Sequence, residues 1–260
     1  MARGDMAESG LASVWRAIET TWLGRERAPL AERMIEADWR PDLAVSYCGR
    51  CGTTAGPYEG GADGCTTCRG QRLAWDRAVR LGEYRGLVRE TVHEIKFTRW
   101  RRLAAEMGGL LGTALLKRFE IEGVDPSRAV LVPVPTSFVA RISRGIDHTL
   151  AIARGMADET GMPIAAVLVR RHRRSQTDVP ASQRWANVAG AMRCESTAEL
   201  SGKVVVIVDD IRTTGATLTA AWQAVDKAWK RGGEESGAEM LGRWVATLAV
   251  ARRGFGRGRA

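Results

Sequence analysis

Lys203-Val-Val-Val-Ile-Val-Asp-Asp-Ile-Arg-Thr-Thr-Gly-Ala-Thr217 is the stretch from which the rest of the chain can be read. Val204 to Val208 is an unbroken β-branched apolar run, the pattern of a strand buried on both faces. Thr213 to Thr217 is small and hydroxylated around Gly215, and a helical pattern begins at Leu218. A strand–loop–helix turn of this kind presents backbone N–H groups beside the positive end of a helix dipole, which suits a phosphate. Asp209 and Asp210 at the mouth of the loop would repel a bare phosphate. They fit a ligand that also carries hydroxyl donors or a divalent metal. A ribose 5-phosphate has both halves: a 2′,3′-diol for Asp209 and Asp210, and a phosphate for Thr213, Thr214, Gly215, Ala216 and Thr217. The lysine of the Walker pattern is missing, which argues against an ordinary nucleoside triphosphatase.

At 260 residues the chain has room for one α/β domain and a small appended module. The sequence has no apolar stretch of membrane-spanning length and no signal-peptide core at its N-terminus, so a soluble cytoplasmic protein without membrane insertion is expected. The formal charge of +9 is uneven: residues 1–47 hold six basic and eight acidic side chains, whereas residues 69–103 hold ten and four. Such a surplus serves either solubility or the binding of anions such as phosphates and nucleic acid.

Cys48-Gly-Arg-Cys51 and Cys65-Thr-Thr-Cys68 are two Cys-x2-Cys knuckles thirteen residues apart. That spacing lets four thiolates converge on one Zn²⁺, and a reducing compartment disfavours disulfides. The loop between them is too polar to hold a core, so metal would supply most of its folding energy. A redox dithiol pair is the alternative. Cys194 stands alone.

Leu11, Val14, Trp15, Ile18 and Trp22 recur at helical spacing, and a second helix is expected over Leu30–Trp39, ended by Pro41. Gly86–Phe97 reads as a helix with Leu87, Val88, Val92 and Ile95 on one side, and Leu103 to Phe119 as another. Strands are expected at Ala129–Val134, Ile164–Val169, Lys203–Val208 and Trp244–Val250, with helices between them. That alternation implies a mainly parallel sheet flanked by helices. The resulting division is an N-terminal helical segment (1–45), a four-cysteine zinc ribbon (46–70), an α/β domain (82–252) and a disordered basic tail (253–260).

The 203–217 run resembles the 5-phosphoribosyl-1-diphosphate (PRPP) motif of type I phosphoribosyltransferases. Further stretches, in order, resemble the ComF (ComFC-like) family of competence-associated phosphoribosyltransferase-like proteins. They are the four-cysteine ribbon, Tyr84 to Lys96-Phe97, Val132-Pro-Val-Pro135, Arg144-Gly-Ile-Asp-His148, and Arg170 to Met192, which is similar to the long flexible loop of amidophosphoribosyltransferase-like enzymes. His148 stands where the family usually has glutamine, Asp147 where it has asparagine and Ile146 where it has phenylalanine.

The resemblance implies a type I phosphoribosyltransferase fold with an N-terminal zinc ribbon, PRPP bound with Mg²⁺, and structural Zn²⁺. By that resemblance Asp209 and Asp210 carry the catalytic diol contacts, and Arg212 to Thr217 hold the 5-phosphate. Thr136 and Ser137 would approach the pyrophosphate by their backbone, and Lys96 would add a point charge or be a solvated helix-end lysine. Arg174, in a cluster with Arg170, Arg171 and Arg173, would close as a lid over the diphosphate, or contact nucleic acid beside Trp185. If catalytic, the protein transfers ribosyl 5-phosphate to a nitrogen acceptor. The alternatives are a nucleic-acid-binding accessory of DNA uptake, with single-stranded DNA and a competence helicase complex as partners, and a non-catalytic PRPP sensor. A homodimer is among the assemblies considered. A lone histidine on a helix, as His148 is, reads as structural or as a polar lining residue.

Overall fold

The computed structural model describes residues 28–56, 59, 63–97, 101–136, 147–170, 192–232 and 239–251. The chain divides into two units, Met1–Trp39 and Arg40–Ala260. In the first, α1 (Leu30–Glu36) starts after Pro29. It stops short of the expected Trp39 because Asp38 turns to a φ of 43°, and the amides of Ala37 and Asp38 donate to the carbonyls of Arg33 and Ile35. The helix expected over Leu11–Trp22 lies outside the described residues.

The second unit is built on a parallel sheet of β1 (Arg77–Glu83), β6 (Gly242–Val250), β5 (Val204–Arg212) and β2 (Ala129–Pro133), in that spatial order. Ile164 extends the row by a parallel bridge to Leu131. The helices are α2 (Gly86–Phe97), α3 (Arg101–Glu122), α4 (His148–Thr160) and α5 (Ala216–Gly232). Side chains alternate across a strand. Accordingly Val205 and Ile207 join the core with Leu218, Trp222 and Val225 of α5. Val204, Val206 and Val208 are buried on the other face, where α3 and α4 cover the sheet. Both faces of β5 are therefore dry, as its β-branched run requires. Among the described residues no helix is long and apolar enough to cross a membrane.

Three differences from the sequence expectations have physical causes. β1 was not expected at all, because Arg77 and Arg80 interrupt its apolar run; Arg80 is nonetheless 1% exposed, its charge met by Asp42. The strand expected over Ile164–Val169 is two pieces. Ile164 bridges to the main sheet, and β3 (Leu168–Arg170) instead forms an antiparallel pair with β4 (Met192–Cys194). β5 runs four residues beyond Val208, because β6 continues to pair with it as far as Arg212 against Val250.

α3 and α4 touch backbone to backbone. A Cβ on Gly155 would overlap the carbonyl of Ala105, and one on Gly108 the carbonyl of Ile152. Neither obstacle is the movable end of a side chain. Gly155→Ala is expected to destabilise the domain by about 2–3 kcal/mol, the upper range for overpacking a rigid contact. The measurement is the denaturant midpoint at unchanged slope, and a cost below half a kcal/mol would mean the helices can separate.

Candidate functional site

At the carboxyl end of β5 side chains from two helices meet on one carboxylate, that of Asp210. Lys96, in the last turn of α2, places Nζ 3.1 Å from Asp210 Oδ1. His148, the first residue of α4, donates from Nε2 to Asp210 Oδ2 at 2.9 Å. Thr136, three residues beyond β2, lies 3.4 Å from His148 Nδ1 and donates to Asp147 Oδ1 at 3.0 Å. Asp147 caps α4 by accepting from the amide of Leu150 (3.2 Å), and Thr149 ties the helix to the strand end through Val134 O (2.5 Å). A cap, a strand end and an ion pair thus fix His148, although it is a single histidine in a helical segment.

Adjacent residues on a strand point to opposite faces, and the acidic pair obeys this rule. Asp210 faces α2 and α4, whereas Asp209 lies on the α5 side and accepts from the amide of Asp210 at 2.9 Å. Burial raises the Asp209 carboxyl to about 7, with the Asp210 charge adding to the rise. Burial also acts upward on Asp210, but the His148 hydrogen bond and the Lys96 charge outweigh it and hold that carboxyl below its ordinary value.

This difference sets a pH dependence. Between about pH 4 and 7 the native state keeps a proton on Asp209 that the unfolded chain gives up, so its contribution to stability falls as pH rises through that window. Asp210, Lys96 and His148 are the charged and titratable groups that act on it. Asp209→Asn retains an acceptor for the Asp210 amide while removing the charge. The variant is expected to match the parent near pH 4 and to melt increasingly higher than it as pH rises to 8; equal shifts at both pH values would contradict the assignment.

Beyond β5, Thr213 is exposed, Thr214 half-buried, and Gly215 has a φ of 82°, the left-handed turn that lets α5 begin at Ala216. Thr214 Oγ1 accepts from the amide of Ala216 at 3.4 Å. The amides of Thr217 and Leu218 have no helical carbonyl four residues before them, which is the geometry of an anion cradle. Ser137 and Arg174 lie outside the described residues.

Arg212 departs from its expected place. It does not line the loop: its side chain shares the face of Asp210, is 2% exposed, and donates from Nη2 to Thr53 Oγ1 at 3.0 Å, beside the cysteine knuckles. An even-numbered residue on β5 must turn to that face, so the strand's extension to Arg212 is the reason.

All four ribbon cysteines are buried, and their Sγ atoms lie within 4.8 Å of one another. Cys48 is 3.8 Å from Cys68, Cys51 3.7 Å from Cys65, and Cys65 4.0 Å from Cys68. A tetrahedron of sulfurs about 2.3 Å from a central zinc has edges of about 3.8 Å, so the donor set fits that metal. A hydrogen bond from Cys51 holds the Cys48 thiol down to about 4, and the same bond pushes Cys51 upward. Gly64 has a φ of 90°, and a Cβ there would run into Cys68 Sγ; only glycine fits that corner. Arg50 closes the module by donating to Cys68 O (2.9 Å) and Gln71 O (2.7 Å), and Trp75 donates from Nε1 to Arg50 O (3.0 Å). Cys194 lies apart on β4, and burial raises its thiol.

Residues 110–229 match the phosphoribosyl transferase domain family. That span runs from the middle of α3 through β5 and the phosphate-type loop into α5. The DNA utilization protein YhgH of Salmonella typhi is 30% identical over 177 residues, covering 67% of this chain and 75% of its own. Its Escherichia coli (strain K12) counterpart is 27% identical over 157 residues, covering 59% and 67%. Among solved structures, a Trypanosoma cruzi hypoxanthine phosphoribosyl transferase aligns at 17% identity with a TM-score of 0.36, over 63% of this chain and 72% of that one. With its parallel sheet, its loop after the acidic pair and these relatives, the chain belongs to the ComF family of proteins with a type I phosphoribosyltransferase domain.

Proposed function

We propose that the chain binds PRPP with Mg²⁺ at the carboxyl ends of β2 and β5. The observation that carries this reading is the convergence on Asp210 of Lys96 and His148, with Thr136 beside His148, next to a phosphate-type loop that opens α5. Ligands of open α/β sheets bind in this crevice. Asp209 and Asp210 take the ribose diol, and the loop from Thr213 to Thr217 takes the 5-phosphate. Lys96 gives up Asp210 and moves its charge to the diphosphate, which Thr136, Ser137 and Arg174 also meet. Two carboxylates beside a diphosphate fit the preference of Mg²⁺ for hard oxygens, and the cation supplies charge neutralisation to the leaving group.

In catalysis the lone pair of a nitrogen acceptor forms a bond to ribose C1 as the C1–O bond breaks, its electron pair leaving on pyrophosphate. No side-chain nucleophile is needed; positioning and charge stabilisation carry the rate. The four ribbon thiols hold a structural Zn²⁺, supported by the tetrahedral sulfur spacing.

A second reading draws support from the DNA utilization proteins among the relatives and from the +9 charge: a cytoplasmic DNA-handling role beside a competence helicase complex. Calorimetry separates the two. Saturable heat with Mg²⁺ and PRPP supports the first; its absence at millimolar ligand would defeat it. A single-strand DNA affinity that falls steeply with salt supports the second.

A further inference from the structure

Three buried arginines lie beneath the cysteine module. Arg80 of β1, Arg118 of α3 and Arg212 of β5 come from separate elements, yet all reach residues 44–54. The guanidinium carbons of Arg80 and Arg118 each lie 5.1 Å from the ring centre of Tyr47, the residue before Cys48. Arg80 also donates to Thr54 Oγ1 and Asp42 Oδ2, both at 2.7 Å, and Arg118 to Ala44 O at 2.5 Å. At Gly49, between the first two thiols, a Cβ would meet Arg118 Nη1 at 3.0 Å. Arg212 completes the platform through Thr53, whose carbonyl accepts from the amide of Cys48 at 2.9 Å.

Three guanidinium groups in one dry region need negative charge nearby. Asp42 supplies one on Arg80, buried Glu83 accepts from the Thr54 hydroxyl that Arg80 also meets, and Glu122 stands 3.9 Å from Arg118. A divalent ion held by four thiolates carries a net charge of about −2. Cys51, Cys65 and Cys68 all act electrostatically on Arg212. Of the three arginines, only Arg212 stands on the strand of the acidic pair, two residues past Asp210 and directly before Thr213.

We propose that Arg212 couples the metal-loaded four-thiol centre to the phosphate loop. The charge of the centre and the Thr53 hydroxyl fix the guanidinium, and the guanidinium fixes the end of β5 from which Thr213–Gly215 departs. Loading with metal therefore orders the loop. By linkage, a ligand in the loop tightens the hold on the metal; this second half rests on the phosphoribosyl reading above.

The test uses the full-length zinc-loaded protein and its variants Arg212→Met, Arg212→Lys and Thr53→Val. Zinc transfer to a colorimetric chelator and amide hydrogen exchange of the peptide containing residues 213–217 are measured without phosphoribosyl ligand. Arg212→Met is expected to release zinc about tenfold faster, the usual scale for loss of an outer-shell partner. Its 213–217 amides should exchange faster as well. Arg212→Lys should recover most of the zinc retention, and Thr53→Val should move both readouts the same way by less. Unchanged zinc release overturns the proposal, as does faster release with unaltered exchange at 213–217. If Arg212→Met does not fold, Thr53→Val decides alone by the same two readouts. In a separate arm, Mg²⁺ and PRPP should slow zinc release from the parent. If calorimetry detects no PRPP binding, the phosphoribosyl reading falls, while the ligand-free readouts still decide the coupling.

Discussion

Asp210→Asn is expected to weaken PRPP binding by roughly 10- to 100-fold, since a hydrogen bond to a charged group contributes about 1.5–3 kcal/mol. Asparagine keeps the shape of the side chain and loses the charge that Lys96 and His148 share. The fold should survive, because Lys96 is partly open to water and can be solvated when its partner is neutralised. Titration calorimetry with Mg²⁺ gives the affinity, and a melting curve guards against a folding defect. Unchanged affinity in a folded variant would remove Asp210 from the ligand site. Because Asp209 is buried on the other side of the strand, its replacement should change the pH dependence of stability as well as the diol contact, and the two variants together separate the roles of the pair.

The second large effect is on the ribbon. Cys51→Ser, or removal of metal by a strong chelator, should unfold residues 46–70, whose loop is too polar to form a core of its own. The loss should spread to the domain beneath, because Arg80, Arg118 and Arg212 would lose Thr54, Tyr47 and Thr53 in that segment. Breaking buried charge partnerships costs about 3–5 kcal/mol, which for a domain of this size lowers Tm by roughly 10 °C. One zinc per chain by elemental analysis, lost in Cys51→Ser together with that shift, is the expected result. A Tm unaffected by metal removal would show that the platform stands without the module.

Hydrophobic pattern and motif spacing carried much of the fold. The helix expected over Gly86–Phe97 has those same bounds, its face of Leu87, Val88, Val92 and Ile95 being buried as expected. The Val204–Val208 run is a central strand, and the two knuckles bring their thiols together. What escaped is charge turned inward. Arg80 broke the apolar run of β1, and Glu94, which is not part of the apolar side of its helix, is buried. Pattern reading counts an arginine as solvent-facing, and only the tertiary partner (Asp42 for Arg80, Thr53 for Arg212) reveals otherwise. His148 has the same difficulty. Its role depends on Asp210, sixty-two positions away along the sequence, and nothing local to it signals that meeting. The order Asp147-His148 beside a capping position was the available clue, since a first-turn side chain sits where the strand ends converge.

The glycine contact between α3 and α4 has a mechanical consequence. Most helix pairs are separated by side chains that can change rotamer and so act as springs. Here carbonyls of one helix lie against bare α-carbons of the other at Gly108 and Gly155, and there is nothing to compress. α3 carries Arg118 under the cysteine knuckles, and α4 begins with His148 on Asp210. A tilt imposed at one end of this stiff pair has to reappear at the other rather than dissipate between them.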